Sequence, residues 1–223
     1  MDEIIIGWLG LYRLGQRIVM GAVFLSASVP LPGRQGYETA DPFLIREAVS
    51  ALVEVVLGRR LLVWGGHPAI TPMIWAAAER LEIEYSHAVC LFQSRFFEDQ
   101  YPEDNQRFNN VTYIDAVNDN RNDSLYLMRQ RLFSAYEIEA AVFIGGMEGV
   151  WDEYEMLLDL ESAPKIIAIP SPGGVAREIF RATEGLPGSL EHEIDFSTWF
   201  YHLLKISTTD ERSNRNRVPG QAR

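Results

Sequence analysis

The sequence predicts an α/β domain with a Rossmann-like, three-layer fold, in which helices flank a mainly parallel central sheet. Short aliphatic or β-branched runs alternate with segments of helical periodicity, a pattern typical of successive βαβ units. Glycine pairs directly follow three of these runs, at Gly65–Gly66, Gly145–Gly146 and Gly173–Gly174. Of the 223 residues, 47% are hydrophobic, which is enough for one well-packed core.

The strands are predicted from the apolar runs and the helices from the periodic segments between them. The predicted strands are residues 22–29, 60–64, 87–92, 111–117, 140–144 and 165–169. The predicted helices are residues 41–57, 70–81, 124–136, 151–160, 175–182 and 196–206. Asp41 followed by Pro42 is a strong helix-start signal, since Asp caps free N–H groups and Pro suits the first helical position. The polar stretch 98–110 is predicted to be a long surface loop and a candidate lid.

The flanking segments are assigned separately from the domain at residues 21–206. Residues 1–20 begin with acidic side chains, and Arg13 and Arg17 interrupt their apolar run, so they match neither a signal peptide nor a membrane span. They are interpreted as an extra strand or an amphipathic helix and as a candidate partner-binding element, or as an upstream extension with Met20 as the alternative start. The polar segment 207–223 is predicted to be a disordered tail.

Charge and cysteine content exclude several classes of protein. The net charge of −11 repels phosphate backbones and disfavours a nucleic-acid-binding role. The single cysteine, Cys90, lies in an apolar run and is predicted to be a buried, unreactive thiol, which indicates a cytoplasmic protein without disulfides. Metal-binding motifs are absent from the sequence, and no metal, cofactor or membrane association is predicted.

The candidate ligand site lies in the loops that follow the strands. In open α/β sheets the carboxyl ends of the strands form the ligand crevice, where glycines let a phosphate approach the backbone and a helix N-terminus. Three glycine pairs at this position favour ligand binding over simple turn geometry. The candidate ligand-binding residues are Ser26, Ala27, Ser28, Gly65, Gly66, His67, Gly145, Gly146, Met147, Glu148 and Gly149. Neither the P-loop motif nor G-x-G-x-x-G occurs in the sequence, which disfavours an NTPase or a dehydrogenase.

One loop resembles a known signature. The segment FIGGMEGVWDE, from Phe143 to Glu153, is similar to the Gly-Gly-x-Gly-Thr-x-Glu-Glu motif of LOG-type phosphoribohydrolases. These belong to the SLOG superfamily, which also includes DprA-like proteins and nucleotide sensors of bacterial conflict systems. The loops at residues 26–28 and 65–68 resemble the other two ligand loops of this group, and the resemblance covers about residues 22–172. It implies a Rossmann-like nucleotide-binding domain.

The resemblance also implies a candidate catalytic pair, Arg129 and Glu153. LOG enzymes carry an Arg-Lys pair on the helix before the signature, and here Arg129 is followed by Gln130 instead of lysine. In such enzymes a carboxylate such as Glu153 would stabilise a cationic sugar while an arginine holds the 5′-phosphate. The signature has one inserted residue before Gly149, and Val150 replaces the threonine, so binding is favoured over hydrolysis.

Two hypotheses follow. The first is a sensor domain for a cyclic nucleotide or ADP-ribose-like signal, acting in bacterial defence through a homo-oligomer or an effector partner. The alternative is a LOG-like nucleoside 5′-monophosphate phosphoribohydrolase or related N-glycosidase. The neighbouring acids Asp152 and Glu155 are interpreted as residues that stabilise a helix N-terminus.

Overall fold

The computed structural model describes residues 21–81 and 88–212, which form a six-stranded sheet with every neighbouring pair of strands parallel. The strands are β1 (Ala22–Ser28), β2 (Leu61–Trp64), β3 (Val89–Ser94), β4 (Val111–Ile114), β5 (Ile138–Gly145) and β6 (Lys165–Ile169). Their order across the sheet is β4-β3-β2-β1-β5-β6. Parallel strands covered on both faces are continuously apolar, which explains why the apolar runs located them.

Helices flank the sheet and confirm the predicted α/β class. They are α1 (Pro42–Val56), α2 (Thr71–Arg80), α3 (Arg121–Ala135), α4 (Glu148–Leu158), α5 (Val175–Ala182) and α6 (Phe196–Leu203). The predicted start of α1 is confirmed, because the Asp41 carboxylate accepts hydrogen bonds from the backbone N–H groups of Phe43 and Leu44. Both β6 and α5 have the predicted bounds.

The chain direction places the ligand crevice. From β1 the chain steps outwards to β4, and α3 then carries it back across the sheet to β5 on the other side of β1. Because such crossovers are right-handed, α1 and α2 lie on one face of the sheet and α3 and α4 on the other. The reversal occurs between β1 and β5, where Ser28 pairs with Gly145. The carboxyl ends of strands at such a switch point form the ligand crevice of open α/β sheets.

Two element boundaries at the crevice differ from the prediction. Strand β3 continues to Ser94 rather than ending at Phe92, because Gln93 and Ser94 are buried although they are polar. Helix α4 begins at Glu148, three residues before the predicted start, and so includes Gly149, which the sequence placed in a loop. His87, predicted to lie in the third strand, is outside the described residues.

The stretch predicted to be a surface loop, 98–110, is more regular than expected. Two short 3-10 helices, Arg95–Gln100 and Glu103–Arg107, occupy most of it. Within this segment Asn105 and Phe108 are buried in the domain, although the composition of the segment is polar. Its role as a lid stays a prediction.

The flanks are described only in part. Residues 1–20 and 213–223 lie outside the described residues. Within the predicted tail, Arg212 packs on the end of α1 and donates hydrogen bonds to the carbonyl oxygens of Leu57 (2.7 Å) and Glu54. Among the described helices, none has the length and apolar character that crossing a membrane requires.

Candidate functional site

Three predicted side chains meet at the switch point. Ser26, near the end of β1, donates a hydrogen bond of 2.5 Å from its Oγ to Oε2 of Glu153 on α4. The other carboxylate oxygen of Glu153 accepts a hydrogen bond of 3.2 Å from Nε of Arg129 on α3. The Ser26 and Arg129 side chains are buried, and Glu153 is half-buried. The structure thus joins both candidate catalytic residues to the first ligand loop.

The guanidinium group of Arg129 has a partner at each of its three nitrogens. Besides Nε, its Nη1 lies 3.1 Å from Oδ2 of Asp152 and its Nη2 donates a 2.8 Å hydrogen bond to the carbonyl oxygen of Gly149. Asp152, interpreted from the sequence as a helix-terminus acid, is therefore also an ion-pair partner. A buried cation between two carboxylates is stable only while it stays paired. Binding a 5′-phosphate through Arg129 would have to use the two N–H groups that these contacts leave or replace one of the contacts.

The Gly145–Gly146 pair joins three elements. Both glycines are buried and have positive φ angles of 64° and 97°. The Gly146 N–H donates to the Ser28 carbonyl oxygen at 2.8 Å, and the Gly146 carbonyl oxygen accepts from the Val175 N–H at 3.1 Å. Because these backbone groups are already paired, the part of the motif that is open to a ligand is half-buried Met147, Glu148 and Gly149.

The third glycine pair packs against the second. Gly173 and Gly174 are buried, and a Cβ atom on Gly174 would lie 2.4 Å from the carbonyl carbon of Gly145. Such a distance is not possible for a real side chain, so this pair allows two backbone segments to touch. Close backbone packing therefore accounts for these glycines, and a ligand role for the pair stays a prediction.

Glu148 occupies the N-terminus of α4. Its carboxylate forms an ion pair with Arg34, in which Nη2 lies 2.8 Å from Oε2, and both side chains are about half exposed. The hydrogen bond from Arg34, together with backbone N–H groups, lowers the pKa of Glu148 to about 2. A helix N-terminus attracts anions, and here the Glu148 carboxylate is the anion that lies there. Arg34 was missed from the sequence, where its position in the 30–36 Pro/Gly loop was the available signal.

A cleft of about 720 Å³ opens between α3 and α4 beside this pair. Its volume lies in the usual range for small-molecule sites. The exposed guanidinium groups of Arg34 and Arg121 line it, together with the ring of Tyr126. The carboxylates that also line it are Asp123, Glu148, Asp152, Glu155 and Asp159. The cleft therefore offers cationic, aromatic and acidic groups to a ligand.

The second predicted loop lies on the other side of β1. Gly65, Gly66 and His67 follow β2 and are half-buried. Nδ1 of His67 accepts a hydrogen bond from the Ala69 N–H at 3.2 Å, and burial lowers the histidine pKa to about 4. His67 is thus neutral at pH 7 with its proton on Nε2, which makes it a hydrogen-bond donor rather than a cation. No hydrogen bond among the described residues joins this loop to Glu153 or Arg129.

Cys90 is buried as predicted, and burial raises its thiol pKa to about 11. The described ranges 21–81 and 88–212 contain no group of three or more His, Cys, Asp or Glu side chains arranged to hold a metal ion.

The parallel sheet, its switch point and the adjoining cleft define a Rossmann-like ligand-binding domain. The model of the SLOG cluster3 family matches residues 35–204, which is 170 of the 223 residues. The chain therefore belongs to the SLOG cluster3 family, and the resemblance to the SLOG superfamily is confirmed. This membership indicates a domain for binding or processing nucleotide-related molecules. No curated protein matches the chain.

Proposed function

We propose that this domain is a sensor that binds a nucleotide-derived small molecule in the cleft between α3 and α4. The observation that carries the proposal is the pairing of Ser26, Glu153 and Arg129 at the switch point. Both carboxylate oxygens of Glu153 and all three guanidinium nitrogens of Arg129 already have partners. Such a network fixes the positions of these side chains and so the shape of a binding site.

The anionic part of the ligand would bind at the Arg34 end of the cleft. Arg34 is exposed and faces the N-terminus of α4, where the Glu148 carboxylate now lies. A phosphate has the charge and the acceptor oxygens to replace this carboxylate at both partners. Arg121 supplies a second exposed guanidinium in the same cleft. Binding would therefore move Glu148, and that movement would be the sensor's first response.

The output of such a sensor would pass to other chains. We propose a homo-oligomer or an effector protein as the receiver, in a bacterial defence setting in the cytoplasm. This part of the proposal rests on the resemblance to nucleotide sensors of conflict systems. The net charge of −11 argues against a nucleic-acid polymer as the ligand.

Hydrolysis is the alternative function, and one observation favours it. The Glu153 carboxylate lies at the carboxyl end of β1, where a carboxylate can stabilise the cationic sugar formed when an N-glycosidic bond breaks. The reaction would release a free base from a nucleoside 5′-monophosphate.

Isothermal titration calorimetry of the full chain with AMP, GMP, 3′,5′-cyclic AMP and ADP-ribose tests the binding proposal. We expect at least one to bind with one molecule per site, and Arg34→Gln to weaken it about tenfold because an ion pair to the phosphate is lost. Arg181→Gln, an exposed arginine on α5, is the matched control. Binding that is equally strong in Arg34→Gln and the control would contradict the proposed site.

Chromatography of the same mixtures distinguishes sensor from hydrolase. A sensor leaves every nucleotide intact over hours. Release of free base by the unmodified chain, lost in Glu153→Gln and retained in the exposed control Glu161→Gln, would establish the hydrolase instead.

A further inference from the structure

A second, smaller cavity lies where β2 and β3 end. It has a volume of about 70 Å³, and its lining includes Gly65, Gly66, Gln93, Tyr101 and Met128. The Tyr101 hydroxyl donates a 2.7 Å hydrogen bond to the Ser94 carbonyl oxygen, which holds the aromatic ring beside the end of β3. The cavity thus has an apolar and aromatic wall and two amide side chains, Gln93 and Gln100.

The amide of Gln93 has no hydrogen-bond partner within the described residues, although only 6% of the residue is exposed. Its Nε2 lies against Gly66, where an added Cβ atom would be 1.9 Å away. Most buried polar groups in folded proteins are paired, whereas this amide has no partner in the described part of the chain and borders the cavity. Gln93 therefore carries an unused donor and acceptor at the wall of a cavity.

The small cavity and the large cleft are neighbours. Leu125 on α3 lines both of them. Three residues later along α3, Met128 lines the small cavity, while the next residue, Arg129, lines the cleft. Adjacent strands are about 4.8 Å apart, so the end of β3 lies about 10 Å from the end of β1. The base and phosphate of one mononucleotide are separated by a distance of this order.

We propose that this cavity is the base subsite of the nucleotide site and that Gln93 is its specificity-determining residue. The inference rests on the proposed function and deepens it. The side-by-side donor and acceptor of a glutamine amide match a nucleobase edge that carries a neighbouring acceptor and donor. Tyr101 and Met128 supply apolar surface for the faces of a flat ring. The cavity is large enough for one edge of the base, and the rest of the base would extend towards the cleft.

The test compares ligands that contain a base with one that lacks it. Calorimetry with AMP, GMP and ADP-ribose gives the affinity of each nucleotide relative to ribose 5-phosphate. Gln93→Leu keeps the side-chain size but removes the amide. We expect it to lower the affinity for the nucleotides roughly 5- to 100-fold. Its affinity for ribose 5-phosphate should stay unchanged. Gln130→Leu, at an exposed position on α3, is the matched control.

A second variant tests the same cavity without removing Gln93. Gly65 has no close neighbour except Met128, whose Cε would lie 3.2 Å from an added Cβ atom. Gly65→Val should therefore narrow the cavity and lower the affinity for the nucleotides, while the affinity for ribose 5-phosphate is retained.

The outcomes separate this inference from the proposed function. If a nucleotide binds and its affinity relative to ribose 5-phosphate is unchanged in both variants, the base subsite is wrong and the proposed function survives. If neither these three nucleotides nor 3′,5′-cyclic AMP binds the unmodified chain, both are wrong. Loss of ribose 5-phosphate binding together with the nucleotides would also overturn the subsite, because the variants would then act on the whole site.

Discussion

The two polar regions at the carboxyl edge of the sheet differ in how completely they are paired. Between β1 and β5, the side chains of Ser26, Arg129 and Glu153 hold one another. At the ends of β2 and β3, the amide of Gln93 is buried without a partner among the described residues. Polar groups paired with one another maintain a structure, whereas a polar group that borders a cavity without a protein partner can hydrogen-bond a ligand. The first region therefore shapes the site, and the second is suited to recognise the ligand.

The largest expected effect is on the paired region. Arg129→Met removes a buried cation and leaves the Glu153 carboxylate without its ion-pair partner. We expect a loss of about 3–5 kcal/mol in the free energy of unfolding, measured by urea denaturation. The exposed neighbour Arg131→Met should cost less than about 0.5 kcal/mol. If both variants lose less than about 0.5 kcal/mol in the free energy of unfolding, the Arg129 network does not stabilise the switch point.

Glycine substitutions should give the next largest difference between the two regions. Gly146 has φ of 97°, and an added Cβ atom would lie 2.6 Å from Cγ2 of Val150. Gly146→Ala should therefore cost about 2–3 kcal/mol. Gly65→Ala should cost less than about 1 kcal/mol, since its φ is not positive and its nearest neighbour is the flexible end of Met128. Thermal unfolding of the two variants measures both losses of stability. Equal losses would contradict the expected difference between the two glycine positions.

Two polar-to-apolar substitutions compare the regions directly. Ser26→Ala removes the hydroxyl that donates to Glu153 and should cost about 1–3 kcal/mol, because that bond is made to a carboxylate. Gln93→Leu should leave stability within about 1 kcal/mol of the unmodified chain or raise it, since no hydrogen bond is lost. Urea denaturation without nucleotide measures both. A loss in Gln93→Leu as large as in Ser26→Ala would show that the amide is paired in solution.

The smallest effect concerns pH and the exposed pair at the cleft. Arg34 and backbone N–H groups lower the pKa of Glu148 to about 2, below its usual value. The pair therefore contributes its stabilisation above about pH 4.5 and loses it as the pH falls towards 2. Carbon-13 NMR titration of the Glu148 carboxyl should give this low midpoint, and Arg34→Gln should move it back towards the ordinary value. A midpoint near 4.5 in the unmodified chain would contradict the ion pair.

The parts of the fold that were predictable from sequence carry strong local signals. β6 and α5 have their predicted bounds, because β6 is a short buried run and the Gly173–Gly174 turn separates it from α5. Asp41 and Pro42 mark the start of α1 by their own hydrogen-bonding chemistry. The end of β3 was not predictable, because Gln93 is polar, and a hydrophobic pattern ends a strand at its last apolar residue.

The candidate site was predictable in part. The resemblance to the LOG signature selected Arg129 and Glu153, which the structure brings into contact. Arg34 and Gln93 were missed, since neither belongs to a motif. Their proximity to the site depends on the return of the chain through α3 and on the loop before α1.

The sequence by itself determined the fold class, the order of strands and helices, and the loops that lie at the carboxyl edge. These follow from local periodicity, capping residues and the rule that parallel strands end together. Only the tertiary structure decided what each glycine pair does, since Gly173–Gly174 packs against Gly145 while Gly65–Gly66 borders a cavity. The three pairs look alike in the chain because glycine serves both close packing and ligand approach. Residues distant in sequence determine which of these uses applies.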